Sequence, residues 1–109
     1  MATFQNLTVD QVKAKIDSGE SFRLIDVREP GEHAVAHIEG AELLPLSRAN
    51  DWIGDLTDDS ELVIFCHHGG RSAQVASFLA ARRGFTRVAN MVGGIDEWSQ
   101  RIDPTIARY

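Results

Sequence analysis

The residues of this chain best suited to covalent chemistry lie together at Cys66-His67-His68-Gly69-Gly70-Arg71-Ser72. Cys66 is the one cysteine among 109 residues. A lone cysteine excludes an internal disulfide, a CxxC redox pair and a cysteine-rich zinc site. Nucleophilic attack by a thiolate stays open to it, provided the thiol pKa is depressed. The residues that follow supply reasons for such a shift. Two glycines permit the dihedrals that fold a short loop around one central atom. A loop of this kind turns several N–H groups inward as an anion nest, and a following helix adds its dipole. Arg71 carries a permanent charge, and His67 and His68 are donors partly charged near neutral pH. All of these favour the thiolate, so position alone predicts a lowered pKa for Cys66.

Other readings of the same residues are weaker. A cysteine ending an apolar strand is by default a small buried hydrophobe, but such a residue needs no glycine-rich, cationic loop after it. Adjacent Cys66, His67 and His68 rarely converge on one ion and no second ligand cluster of the usual spacing exists, so a metal site joined by His33 and His37 is the weakest of these readings. No metal and no cofactor are therefore predicted.

The elements that must position this loop follow from local pattern. Thr8 with Gln11 makes a capping box, and Val9, Val12 and Ile16 recur at helical spacing until Ser18-Gly19. Phe22-Arg23-Leu24-Ile25 reads as a strand closed by Asp26-Val27-Arg28, and Glu29-Pro30-Gly31-Glu32 as a turn or short helix. Ala41-Glu42-Leu43-Leu44 is strand-like, and Ser47 is a predicted cap for a short helix reaching Leu56. Leu62-Val63-Ile64-Phe65 is too short for a buried helix and suits a central parallel strand. A helix is predicted from Ser72 to Arg83 with Gly84 as its C-cap, a strand over Phe85 to Val88, and a last helix over Ile95 to Ser99. Strands alternating with helices predict an α/β fold, one mainly parallel central sheet with helices on both faces. Cys66 then falls at the carboxyl end of a strand, where open α/β sheets bind ligands.

Composition narrows the function classes. The 43% apolar and 25% charged content of 109 residues suits one domain spanning 1–109. A net charge of -5 disfavours nucleic acid and anionic membranes as partners. No apolar run approaches the roughly 20 residues of a membrane span, and the first residues lack a signal-peptide layout. A cytoplasmic location is expected.

Three motifs together resemble the rhodanese (thiosulfate sulfurtransferase) family, in its small single-domain form. Cys66 to Ser72 is similar to the family's active-site loop. Asp26-Val27-Arg28-Glu29-Pro30-Gly31-Glu32-His33, with His37-Ile38-Glu39-Gly40-Ala41 and Pro45, resembles its N-terminal signature. Val92-Gly93-Gly94-Ile95 with Trp98 resembles its C-terminal one, so the likeness runs from about residue 4 to about residue 101 and leaves a short tail. Ala36 departs from the glycine common in the family before the His-Ile pair.

The resemblance implies a rhodanese-like domain that moves a sulfane sulfur from thiosulfate or a related donor to cyanide, a small thiol or a thioredoxin-like protein. Cys66 would carry the sulfur as a persulfide. His67, His68, Gly69, Gly70, Arg71 and Ser72 would bind substrate and persulfide, with Arg71 holding the loop and attracting an anionic donor. Asp26 and Arg28 are supporting residues of the scaffold, and Glu29 and Glu32 pair with arginines or face water. Gly93-Gly94 would pack beneath the loop, and Trp52 and Trp98 would fill core or rim. Two other functions stay open. One is a small phosphatase or arsenate reductase, although those loops resemble this one with an additional residue between Cys and Arg. The other is a sulfur-relay or binding module serving a partner protein.

Overall fold

The computed structural model describes residues 3–109. Five strands form one sheet in the order β1-β5-β4-β2-β3, every neighbouring pair parallel. The elements run β1 (Gln5–Leu7), α1 (Val9–Asp17), β2 (Phe22–Asp26), α2 (Pro30–Val35), β3 (Glu42–Leu43), α3 (Ala49–Trp52), β4 (Glu61–Phe65), α4 (Gly70–Arg83), β5 (Val88–Met91) and α5 (Gly94–Arg101). Short 3₁₀ turns at Leu46–Arg48 and Ile53–Asp55 flank α3.

The predicted α/β architecture with helices on both faces is the one observed, and β4 shows why. It pairs with β2 on one side and β5 on the other, and all of Leu62 to Phe65 are buried. Because side chains alternate along a strand, Leu62 and Ile64 join one core with Val75 and Leu79 of α4 and Trp52 of α3. Val63 and Phe65 join the other, with Val9 and Val12 of α1 and Ile95 and Trp98 of α5. A strand buried on both faces reads as a continuous apolar run.

Several boundaries differ from expectation. The edge strand β1 is absent from the sequence reading, since Gln5 and Asn6 are exposed and polar. The last strand begins at Val88 rather than Phe85. Gly84 adopts φ +69° and turns the chain so that the Phe85 N–H reaches Leu79 O (3.0 Å) while Phe85 stays in the core. Ser47 caps no helix, because its N–H and hydroxyl both bond the Glu29 carboxylate. α4 starts at Gly70, two residues before the predicted Ser72, and α5 extends past Ser99 to Arg101. The Thr8–Gln11 capping box forms as expected, with reciprocal bonds of 2.8 and 3.1 Å.

At the carboxyl end of β2, Asp26 and Arg28 are completely buried. Arg28 Nε and Nη2 donate to the two Asp26 carboxylate oxygens at 2.9 and 2.7 Å, and Nη2 also donates to Ala36 O at 2.7 Å. This satisfied pair ties β2 to the end of α2. Removing one partner of a buried pair leaves the other charge uncompensated, so Arg28→Ala is expected to lower the unfolding free energy by about 3–5 kcal/mol. Urea denaturation measures this, and a loss under about 1 kcal/mol would contradict the role given to the pair.

Candidate active site

Cys66 is the residue after β4 and is 1% exposed. The loop turns at Gly69, whose φ of +113° lies in the region that glycine enters without strain. Only one of the two glycines is used this way. Gly70 already belongs to α4, and a Cβ there would meet nothing within 4 Å. The turn aims the Gly69 N–H (3.1 Å) and the Ser72 N–H (3.4 Å) at Cys66 Sγ. The sulfur therefore faces the start of a 14-residue helix, where unpaired N–H groups and the dipole favour negative charge.

Gly93-Gly94 does pack beneath the loop. The Ile95 N–H donates to Cys66 O (2.9 Å) and the Asp96 N–H to His67 O (3.1 Å). Gly94, at φ +59°, lies so close that a Cβ would collide with both carbonyl oxygens. Two helix N-termini thus hold the loop, α4 against its sulfur and α5 against its carbonyls.

The thiol electrostatics are a contest rather than the one-sided sum expected from sequence. Burial pushes the Cys66 pKa up, while hydrogen bonds from Ser72, Gly69 and Arg71 push it down, and the net direction is below the ordinary thiol value. The Ser72 hydroxyl has one proton and three acceptors in reach: Asn90 Oδ1 at 2.6 Å, Gly69 O at 3.2 Å and Sγ at 3.4 Å. The short bond to Asn90 takes that proton, so the fixed backbone N–H groups are the dependable donors to sulfur.

Arg71 does not present a free charge to the loop. Its Nη1 and Nη2 donate to Glu32 Oε1 (2.6 Å) and Oε2 (2.9 Å), a bidentate pair that ties α4 to α2. The Arg71 guanidinium holds the Glu32 carboxyl down to about 2. The cationic loop expected from sequence is thus locally neutralised, and Glu32 is the arginine partner foreseen as one of its two possible roles. His67 has its pKa lowered, first by burial and then by neighbouring His68, so it is neutral at pH 7 rather than a charged donor. Its ring packs against His68 (4.0 Å) and Tyr109 (3.9 Å between centroids). His68 is 69% exposed in its side chain. Asp26 and Arg28 lie behind the loop and reach it through Tyr109 and Glu32.

Two residues at the site have no counterpart in the sequence reading. Asn90 is a buried amide in an otherwise apolar strand, a polar interruption that could have signalled a partner. Tyr109 lies in the tail, where nothing local ties it to residue 67. His33 and His37 stack on each other (4.8 Å), and no cluster of three or more candidate metal ligands occurs among the described residues. Clefts of about 550 and 530 Å³ lie around Trp98 and Ile102 and along Phe78 of α4, and neither is lined by a residue of the Cys66–Ser72 loop.

Ser72→Ala, which keeps the backbone N–H at Sγ, is expected to leave the Cys66 titration midpoint, read from the pH dependence of iodoacetamide alkylation, below that of a free cysteine. A midpoint at the free value would mean that backbone N–H groups do not hold the thiolate. Glu32, lowered from 4.5 to about 2, binds its proton first in the unfolded chain. Its contribution to stability is complete above about pH 4.5 and is lost as pH falls toward 2. Glu32→Gln should therefore flatten the fall in stability over that range, compared by urea unfolding at several pH values. An unchanged slope would contradict the pairing.

The profile of the Rhodanese-like domain matches residues 8–101 of this chain. The chain is 31% identical to thiosulfate sulfurtransferase GlpE of Pseudomonas aeruginosa, covering 88% of this chain and 84% of that protein. It is 32% identical to the putative sulfur carrier protein YrkF of Bacillus subtilis, covering 94% of this chain and 55% of that one. Other curated relatives are longer, and the chain spans 37% and 26% of two of them. A crystal structure of a Staphylococcus saprophyticus protein superposes with TM-score 0.76 at 31% identity, covering 95% of this chain and 99% of the other. With its cysteine loop, its signature ends and its sheet all in place, this chain belongs to the rhodanese-like family.

Proposed function

We propose that this chain is a sulfurtransferase, one rhodanese-like domain over residues 1–109 acting in the reducing cytoplasm, that carries a sulfane sulfur on Cys66. The observation that carries the reading is the aim of the Gly69 and Ser72 N–H groups at a single buried sulfur. In the first step the Cys66 thiolate attacks the outer sulfur of thiosulfate. The S–S bond of the donor breaks, sulfite leaves with the electron pair, and a persulfide anion remains on Cys66. In the second step an acceptor attacks the outer sulfur, the Cys66 S–S bond breaks and the thiolate returns. With cyanide the product is thiocyanate; with a thiolate it is a new persulfide. Negative charge stays on sulfur throughout, so fixed N–H donors serve every stage without rearranging.

The family and the relatives named as sulfurtransferases support this reading over phosphate or arsenate chemistry. So does the loop itself, in which four residues separate Cys66 from Arg71. That ring is a residue smaller than the cradle expected for a tetrahedral oxyanion. The acids beside the loop, Glu32 and Asp96, are each held toward the ionised form by an arginine, Arg71 and Arg108, and are poor proton donors to a leaving group. Relay to a protein thiol is the second reading, favoured by the relative named as a sulfur carrier.

Incubation with thiosulfate should add one sulfur atom to the intact protein by mass spectrometry, with sulfite released in equal amount. Cys66→Ala should show neither. A wild-type protein that gains no sulfur from thiosulfate or from an organic persulfide would refute the activity. Discharge of the loaded protein faster to a protein thiol than to cyanide or a small thiol would favour relay.

A further inference from the structure

The tail after α5 returns to the loop and is anchored there at three points. The Ser99 hydroxyl donates to Ile106 O (2.6 Å), and Arg108 Nε donates to Asp96 Oδ1 (3.0 Å). Asp96 is itself the residue whose N–H holds His67 O. The third anchor is Tyr109. Its ring stacks on that of His67, with 6° between the two planes. Its hydroxyl donates to Glu32 Oε2 (2.8 Å) and accepts from Arg28 Nη1 (2.9 Å).

These contacts span the loop from end to end. The ring rests on His67, the residue after the nucleophile, and the hydroxyl rests on the carboxylate that grips Arg71. With His68 against His67 as well, three rings line this side of the loop. They account for a His67 Nε2 that is buried without a hydrogen-bond partner on a residue only partly covered. Cys66, the next residue, is 1% exposed, while Tyr109 itself keeps 41% of its surface in water. A residue half in solvent, held by one stack and two hydrogen bonds, is easily displaced by substitution. It also lies beyond residue 101, where the family match ends.

We propose that Tyr109 is a specificity-determining residue, whose ring narrows the approach to Cys66 so that small sulfur compounds enter and bulky ones do not. The sulfur compounds concerned follow from the sulfur-transfer reading of Cys66, but the steric claim can be measured without it. Cys66 alkylation is followed with iodoacetamide and with its pyrene-bearing analogue, which share one reactive group and differ in size. Tyr109→Ala should raise the rate with the pyrene reagent about tenfold relative to iodoacetamide. Tyr109→Phe, which keeps the ring, should retain the wild-type ratio. Equal acceleration of both reagents in Tyr109→Ala would mean that the tail only holds the fold, and would overturn the proposal. An unchanged ratio would overturn it too. A changed ratio in a protein that never loads sulfur would uphold the access role and remove the sulfur-transfer reading.

Discussion

A buried sulfur faced by backbone N–H donors is the constraint on which this structure turns. Burial of Cys66 opposes the thiolate, so the protein must supply donors that are already in place. Backbone N–H groups meet that need because their direction is set by the chain and they cost no side-chain ordering. The supply depends on a left-handed glycine at 69, on a helix starting immediately after it, and on a strand that ends at residue 65. Gly94 completes the arrangement from below, since only a residue without Cβ lets α5 reach the carbonyls of Cys66 and His67. Sheet, loop and both helix starts are consequences of one requirement at one atom.

Around that atom lies a chain of hydrogen bonds: Asp26 to Arg28, Arg28 to the Tyr109 hydroxyl and the Glu32 main-chain carbonyl, and the Glu32 carboxylate to Tyr109 and Arg71. Each guanidinium in it meets a carboxylate, so the network's work is to fix geometry more than to create a positive field. This alters the picture suggested by an acidic chain with an arginine-bearing loop. Positive potential at the sulfur comes mainly from the N–H groups at the N-terminus of α4. Arg71 instead pins the first turn of that helix to α2 through Glu32.

Much of this was readable from residue types because local rules and the tertiary structure agree. The apolar run of β4, the Thr8 capping box, the Gly84 turn and the cysteine loop are each encoded within a few residues. The failures have a common physical origin in distance along the chain. β1 is a strand only because β5 is there to pair with it. Asn90 became part of the site only because α4 packs Ser72 against β5. Tyr109 reaches His67 through a tail whose anchors are far apart in sequence. Glu32 was open to two roles until the fold brought Arg71 to it. The sign of the burial effect on Cys66 also needed the structure, since sequence lists donors but not the water that is lost.

The folded loop lowers the Cys66 pKa against the cost of burying the sulfur. Thiolate absorbance near 240 nm, followed as a function of pH in the native protein and again in urea, compares the same cysteine with and without its N–H donors. The account predicts a native midpoint below the unfolded one, and a Cys66→Ser variant with no such transition. A native midpoint equal to or above the unfolded value would contradict it, because burial would then have outweighed the donors that the fold is built to supply.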